Sequence, residues 1–111
     1  MLLATDMRHH KHFGNLRVGT IVDGLACPED APAVVRAATE ELKRRQVDLI
    51  VTNQTHAAWR EAFRRAGYLE GPSNRIFAAS VKLGQRLGPW AESQDRVHIT
   101  RGDGAGPIHL L

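Results

Sequence analysis

The sequence VDLIVT at Val47–Thr52 decides the fold, because a short, nearly continuous apolar run is typical of a β-strand covered on both faces. The segment before it, from about Pro32 to Gln46, carries apolar residues at helical spacing. The segment after it, from about Thr55 to Ala66, has a second amphipathic pattern that Gly67 ends. A strand between two amphipathic helices predicts a sheet with helices packed on it and Val47–Thr52 in its interior.

Further strands are predicted on both sides of this unit. Leu2–Met7 is apolar and Leu16–Leu25 is dominated by β-branched residues, so the two segments predict a hairpin. Beyond the second helix, Arg75–Ser80 predicts a last strand. The pattern then weakens, with a short helix predicted at Val81–Leu87 and a marginal strand at Val97–Thr100.

The predicted fold class is α/β (α+β), with a mixed β-sheet, two main helices packed on it and the element order β-β-α-β-α-β. With 111 residues the chain has room for one domain, residues 1–111. Within it, residues 1–15 form an N-terminal strand and a His-rich turn, and residues 88–111 form a weakly structured Gly-rich tail.

The composition of the chain limits the kinds of partner that it is expected to have. The single cysteine, Cys27, cannot form an intramolecular disulfide, and no apolar run approaches the roughly 20 residues of a membrane-spanning helix. We therefore expect a cytoplasmic protein with no membrane partner. The net charge of +3 comes mostly from arginine, but pairs such as Glu41 and Arg45 have the spacing of a solvated helix surface. No aromatic residues interleave these charges, so a nucleic-acid partner is not predicted.

The motif AFRRAGY at Ala62–Tyr68 follows the strand at Val47–Thr52 and resembles the late helix of GNAT-type (acyl-CoA N-acyltransferase) domains. Leu16–Asp23 resembles the strand before that family's cofactor helix. The segment from His98 to Gly104 is similar to the tail of a bacterial GNAT-like group of unassigned function. The resemblance is to the C-terminal half of the domain.

This resemblance implies transfer of an acyl group from acyl-CoA, the cosubstrate, to an amine. It also implies a half-domain whose sheet edge carries unpaired backbone groups, which are a template for association. We therefore expect a homodimer.

Two departures from the family favour an alternative, a noncatalytic dimerisation or ligand-binding module. The family's cofactor helix offers free amides to the CoA pyrophosphate, but here that turn contains Pro28, Glu29, Asp30 and Pro32. The prolines remove donors, and the carboxylates oppose phosphate binding. Phe63 stands where the family often has a tyrosine as general acid, and a phenyl ring has no proton to give.

The best site candidates lie where the predicted central strand meets the second helix. Asn53, Gln54 and His56 follow that strand directly, at the edge where α/β proteins often bind ligands. Histidine titrates near neutral pH, so His56 is the candidate base. The structural alternative is that Asn53 and Thr55 shape the turn and cap the helix.

Three more polar residues belong to the predicted site. Ser73 and Asn74 precede the last predicted strand and are expected near the same edge as ligand-binding residues. Asp23 ends the second strand and is a candidate general base. Its structural alternative is a carboxylate that accepts backbone N–H bonds at the strand end.

The cluster of His9, His10 and His12 has no matching acidic or cysteine ligands beyond Asp6. It is interpreted as an exposed hairpin turn, and no metal site is predicted.

Overall fold

Residues 1–72 and 79–100 are described by a computed structural model of the chain, and they contain one three-stranded mixed sheet with helices packed on it. The predicted α/β class with a mixed sheet and two main helices is confirmed. The N-terminal hairpin is also confirmed, with strand β1 at Leu2–Asp6 antiparallel to strand β2 at Arg17–Ile21. Its register places Leu2 opposite Ile21 and Asp6 opposite Arg17.

Strand β3 spans Leu49–Thr52 and runs parallel to β2. The backbone N–H of Asp48 donates to Arg17 O at 2.8 Å, and Asp48 Oδ2 accepts from Arg17 N at 2.8 Å. These two bonds fix the start of the parallel pair, which ends with Ile21 opposite Thr52.

The prediction that Val47–Thr52 is an interior strand does not hold for the part of the chain described. There the sheet order is β1-β2-β3, so β2 is central. Val18 and Thr20 of β2 are almost completely buried, whereas Leu49 of β3 is 36% exposed. A short, nearly continuous apolar run cannot distinguish a doubly covered strand from a half-buried one at the side of a sheet.

Helix α1 at Ala31–Arg44 connects the two parallel strands. It buries Val35 and Leu42, which belong to the apolar residues at helical spacing that predicted this helix. The helix lies close to β2 because Gly19 has no side chain, and a methyl group there would lie 3.2 Å from Leu42 Cδ1 of α1. On its solvent side Glu41 pairs with Arg45 at 2.9 Å, and this hydrogen bond lowers the pKa of Glu41.

Helix α2 at Ala57–Arg65 completes the core. Its Trp59, Ala62 and Phe63 are buried, which matches the predicted apolar face. The helix ends before Gly67, whose φ of +90° is the left-handed geometry of a helix C-terminal stop. The core of the described residues comprises Val18, Ile21, Val22, Ala31, Val35, Leu42, Trp59, Ala62 and Phe63.

The C-terminal part contains short elements. Helix α3 at Val81–Leu87 confirms the predicted short helix and is capped by Ser80 Oγ, which accepts from Leu83 N at 3.2 Å. Helix α4 at Trp90–Ser93 and a 3₁₀ turn at Gln94–Arg96 follow. Of the strand predicted at Val97–Thr100, only a single bridge between Thr100 and Gln54 forms.

The strand predicted at Arg75–Ser80 falls mostly within residues 73–78, outside the described residues. Across the two described ranges, no helix combines the length and the apolar character needed to span a bilayer.

Candidate functional site

The carboxyl ends of β2 and β3 meet at one edge of the sheet, which is where polar residues collect. Thr52 Oγ1 donates to Ile21 O at 3.0 Å and ties the two strand ends together. The chain then continues from β3 through Asn53 and Gln54 into α2. In α/β folds, ligands bind outside the carboxyl ends of parallel strands, so this edge is the candidate site.

A directed chain of hydrogen bonds runs from this edge to His98. Gln54 Nε2 lies 3.2 Å from Thr52 Oγ1, and Gln54 Oε1 lies 3.1 Å from His98 Nε2. The Thr52 hydroxyl donates its one proton to the Ile21 carbonyl, so Thr52 Oγ1 accepts from the Gln54 amide. This orientation of the amide places Gln54 Oε1 toward the His98 imidazole.

The same chain assigns the tautomer of His98. Because Gln54 Oε1 can only accept, His98 Nε2 must carry a proton, and Nδ1 of the neutral ring keeps its lone pair. His98 is half-buried and stacks on Trp59 with ring centroids 5.5 Å apart and planes at 26°. Trp59 is 2% exposed, so the indole forms a fixed floor beneath the imidazole.

His56 stands beside this pair and caps α2. Its Nδ1 accepts from Ala58 N at 3.2 Å, so Nε2 carries the proton of the neutral ring. Its ring centroid lies 6.3 Å from that of His98. The two histidines therefore present one ring donor, His56 Nε2–H, and one ring acceptor, His98 Nδ1.

Thr55 does not cap α2; its hydroxyl holds the C-terminal segment instead. Thr55 Oγ1 donates to Val97 O and accepts from Ile99 N at 2.8 Å. These bonds flank His98 on both sides in sequence. Because of them, a residue 44 positions after Gln54 reaches the edge of the sheet.

The other predicted site residues are not brought into this hydrogen-bonded chain. Asn53 is half-buried, and within the described ranges its side-chain amide has no hydrogen-bond partner. Asp23 is exposed, and its Oδ1 accepts from Gly24 N at 2.7 Å, the arrangement that its structural alternative describes. Its carbonyl accepts from the Met1 ammonium at 2.6 Å. Ser73 and Asn74 lie outside the described residues.

The amides at the start of α1 are largely used by the chain itself. Asp30 N donates to Cys27 O at 2.9 Å, and Ala31 N donates to Pro28 O. Pro32, inside the first turn of the helix, has no N–H to give. Residues 30–32 of this turn therefore offer no free N–H to a pyrophosphate.

Phe63 and Tyr68 form part of the packed interior rather than of the candidate site. Phe63 is 5% exposed, and its ring meets the Tyr68 ring edge-on at 5.0 Å. The Tyr68 hydroxyl lies 2.8 Å from Thr39 Oγ1, which donates its own proton to Val35 O. Burial raises the pKa of the Tyr68 phenol above its ordinary value.

The His-rich turn engages its own backbone. His10 Nδ1 lies 3.2 Å from His12 N and 3.3 Å from Phe13 N, and it accepts from both. Among residues 1–72 and 79–100, no group of three or more His, Cys, Asp or Glu side chains is arranged to hold a metal ion.

Sequence reasoning missed His98 as a site residue. It noted this histidine only as part of the C-terminal tail, because no short spacing links it to Gln54 or Trp59.

In comparisons with known proteins, no family model, curated protein or solved structure matches the chain.

Proposed function

We propose that this chain is a noncatalytic ligand-binding module whose binding edge lies at the carboxyl ends of β2 and β3. The observation that carries the proposal is the directed hydrogen-bond chain through Gln54 to His98, which holds an imidazole acceptor on an indole floor. The neighbouring His56 offers a donor. A small neutral molecule with one acceptor and one donor, such as an amide or a heteroaromatic ring, complements this pair.

Acyl transfer from acyl-CoA to an amine is the competing interpretation, and three observations weigh against it. The first turn of α1 has few free amides for a pyrophosphate and carries Glu29 and Asp30 beside it. Phe63 has no proton to give to a departing thiolate. The side position of β3 in the described sheet also removes one support for the acyltransferase likeness.

A fragment titration followed by NMR tests the binding proposal. Small amides and heteroaromatic compounds should give saturable shifts at the His98 ring and the Gln54 side chain. The variant Gln54→Ala removes the acceptor that orients His98 and should weaken this binding. Gln85→Ala, on the exposed face of α3, is the matched control and should leave the affinity unchanged. The proposal would be contradicted if the saturable shifts gave the same affinity in Gln54→Ala as in the wild-type protein. It would also be contradicted if no saturable shift appeared at His98.

A thermal-shift titration with acetyl-CoA and longer acyl-CoAs tests the noncatalytic part. A ligand at 100 times its dissociation constant stabilises a protein by about 2.7 kcal/mol, so even weak CoA binding is measurable at millimolar concentration. We expect no shift and no release of free CoA thiol with amine acceptors. Thiol release that disappears in His98→Ala would establish acyl transfer and overturn this part.

Self-association is a second role for the same module. Leu25 and Leu69 are 95% and 99% exposed, and contact with a second copy would remove such apolar side chains from water. Light scattering at micromolar concentration should then give twice the mass of one chain. A mass equal to one chain would contradict the dimer and would not bear on the proposal that the sheet edge binds a ligand.

A further inference from the structure

A cavity lies at the opposite end of the hairpin from the candidate site. It has a volume of about 400 Å³ and is lined by the last residue of β1, the first residue of β2 and the start and end of the loop between them. The side chains that matter for its chemistry are Asp6, Arg8, His9, Asn15 and Arg17. Two arginines face one carboxylate, so the lining carries excess positive charge.

The loop shapes this cavity by widening the hairpin. Met7 N bonds Leu16 O at 2.8 Å, and His10 and Gly14 pair again further along. Between these pairs, Arg8 and His9 stand opposite the single residue Asn15, which is the arrangement of a β-bulge. His9 takes the left-handed backbone conformation, with φ of +53°, and its N–H donates to Asn15 Oδ1 at 2.8 Å.

This geometry leaves hydrogen-bond donors in excess around the cavity. The carbonyl oxygen of Asn15 is occupied by His9, so the free end of that side chain is its NH₂ group. Arg8 is exposed, and within the described ranges its guanidinium contacts no carboxylate. Both groups are donors that lack an acceptor.

Arg17 is the most informative member of the group. Its Nη1 contacts both oxygens of Asp6, at 3.0 and 3.3 Å. Its Nε is buried and has no hydrogen-bond partner among the described residues, and Nη2 is also unpaired there. Because Nε is out of reach of a water molecule and Nη1 is paired with Asp6, Nη2 is the guanidinium nitrogen that remains for a ligand.

We propose that this cavity is a binding site for a small oxyanion, a carboxylate or phosphate group, bound by Nη2 of Arg17. Arg8 and the Asn15 amide supply the remaining donors. Asp6 does not block the site because Nη1 of Arg17 already balances its charge. This site is separate from the binding edge at His98.

Titrations with inorganic phosphate and with succinate, followed by amide NMR at constant ionic strength, test the site. Saturable shifts should appear at Arg8, Asn15 and Arg17. Saturation by phosphate alone identifies a phosphate-bearing ligand, and saturation by succinate alone identifies a carboxylate. No saturable shift with either anion overturns the proposal.

Arg17→Lys is the decisive variant because it keeps the positive charge and can still pair with Asp6. It has no second nitrogen at the position of Nη2, so the affinity should fall about tenfold, the equivalent of one charge-assisted hydrogen bond. Arg36→Gln, on the exposed face of α1, removes one positive charge elsewhere and should leave the affinity within about twofold, since it changes only the long-range screened field. Equal affinities of the wild-type and Arg17→Lys proteins, or equal losses in Arg17→Lys and Arg36→Gln, would show that no specific site exists.

Discussion

Replacing Gly24 with alanine should destabilise the protein through a direct collision with Trp59. A methyl group at Gly24 would lie 2.8 Å from Trp59 Cη2 and 3.1 Å from Cζ3. Carbon atoms in packed interiors normally stay about 3.5–4.0 Å apart. The collision is therefore too severe to be absorbed without movement of the indole or of the chain after β2.

The indole has little freedom to retreat. Trp59 is 2% exposed, and His98 stacks on its ring. Overpacking of a well-packed interior typically costs about 1–3 kcal/mol, and we expect Gly24→Ala to fall in that range. For a domain of this size, a loss of 1 kcal/mol lowers the midpoint of thermal unfolding by about 4–8 °C.

Urea unfolding followed by far-ultraviolet circular dichroism measures this loss, with Gly71→Ala as the control. Among the described residues, and apart from its own chain neighbours, a methyl group at Gly71 would have no atom within 4 Å. The control should therefore be neutral or should stabilise by up to about 1 kcal/mol, through the lower entropy of the unfolded chain. Equal unfolding free energies for Gly24→Ala and Gly71→Ala would refute the packing described for Trp59.

A double-mutant cycle assigns the effect to the indole. Trp59→Phe removes the ring atoms closest to Gly24, so adding the methyl group in that background should cost less than in the wild-type protein. The coupling free energy should reach about 1 kcal/mol, within the range observed for residues in contact. A coupling free energy of zero would place the strain elsewhere in the chain.

Four further outcomes follow from single contacts. His56→Ala should lower the unfolding free energy by about 1 kcal/mol through loss of the α2 cap, and His56→Asn should restore most of it in urea unfolding. The absorbance titration of Tyr68, the only tyrosine, should have its midpoint above 10, and the associated stability should be present below about pH 10 and lost as pH rises through the folded-state value. Thr55→Val should speed hydrogen exchange at Ile99 N, whose bond to Oγ1 it removes, whereas Thr55→Ser should not. Leu42→Ala should cost about 2–5 kcal/mol in the same urea assay because Leu42 is completely buried.

The sequence predicted best the parts of the fold that local residues determine. The periodic apolar residues of α1 and α2 bury the side chains expected of them, since a helical stripe is readable within one segment. The strand at the centre of the sheet was not predictable in this way. Whether β2 or β3 is central depends on pairing between segments, and the residue pattern within one strand carries no information about its neighbours.

The candidate site was only half predictable for a related reason. Gln54 and His56 follow directly from their position after β3. The cap of α2 is supplied by His56 rather than by Thr55, and Thr55 holds the C-terminal segment instead. His98 reaches the edge only through long-range contacts, which leave no local spacing to detect.

The candidate site therefore depends on a segment that lies outside the central fold. Residues 97–100 reach the sheet through Thr55 and through the bridge between Gln54 and Thr100. If that segment detaches, His98 leaves the Trp59 ring and Gln54 loses its partner, while the core around Leu42 stays packed. Because residues 97–100 belong to no regular helix or strand, local opening should require less free energy than global unfolding. A ligand that contacts His98 should consequently stabilise residues 97–100 against hydrogen exchange more than it stabilises the helices.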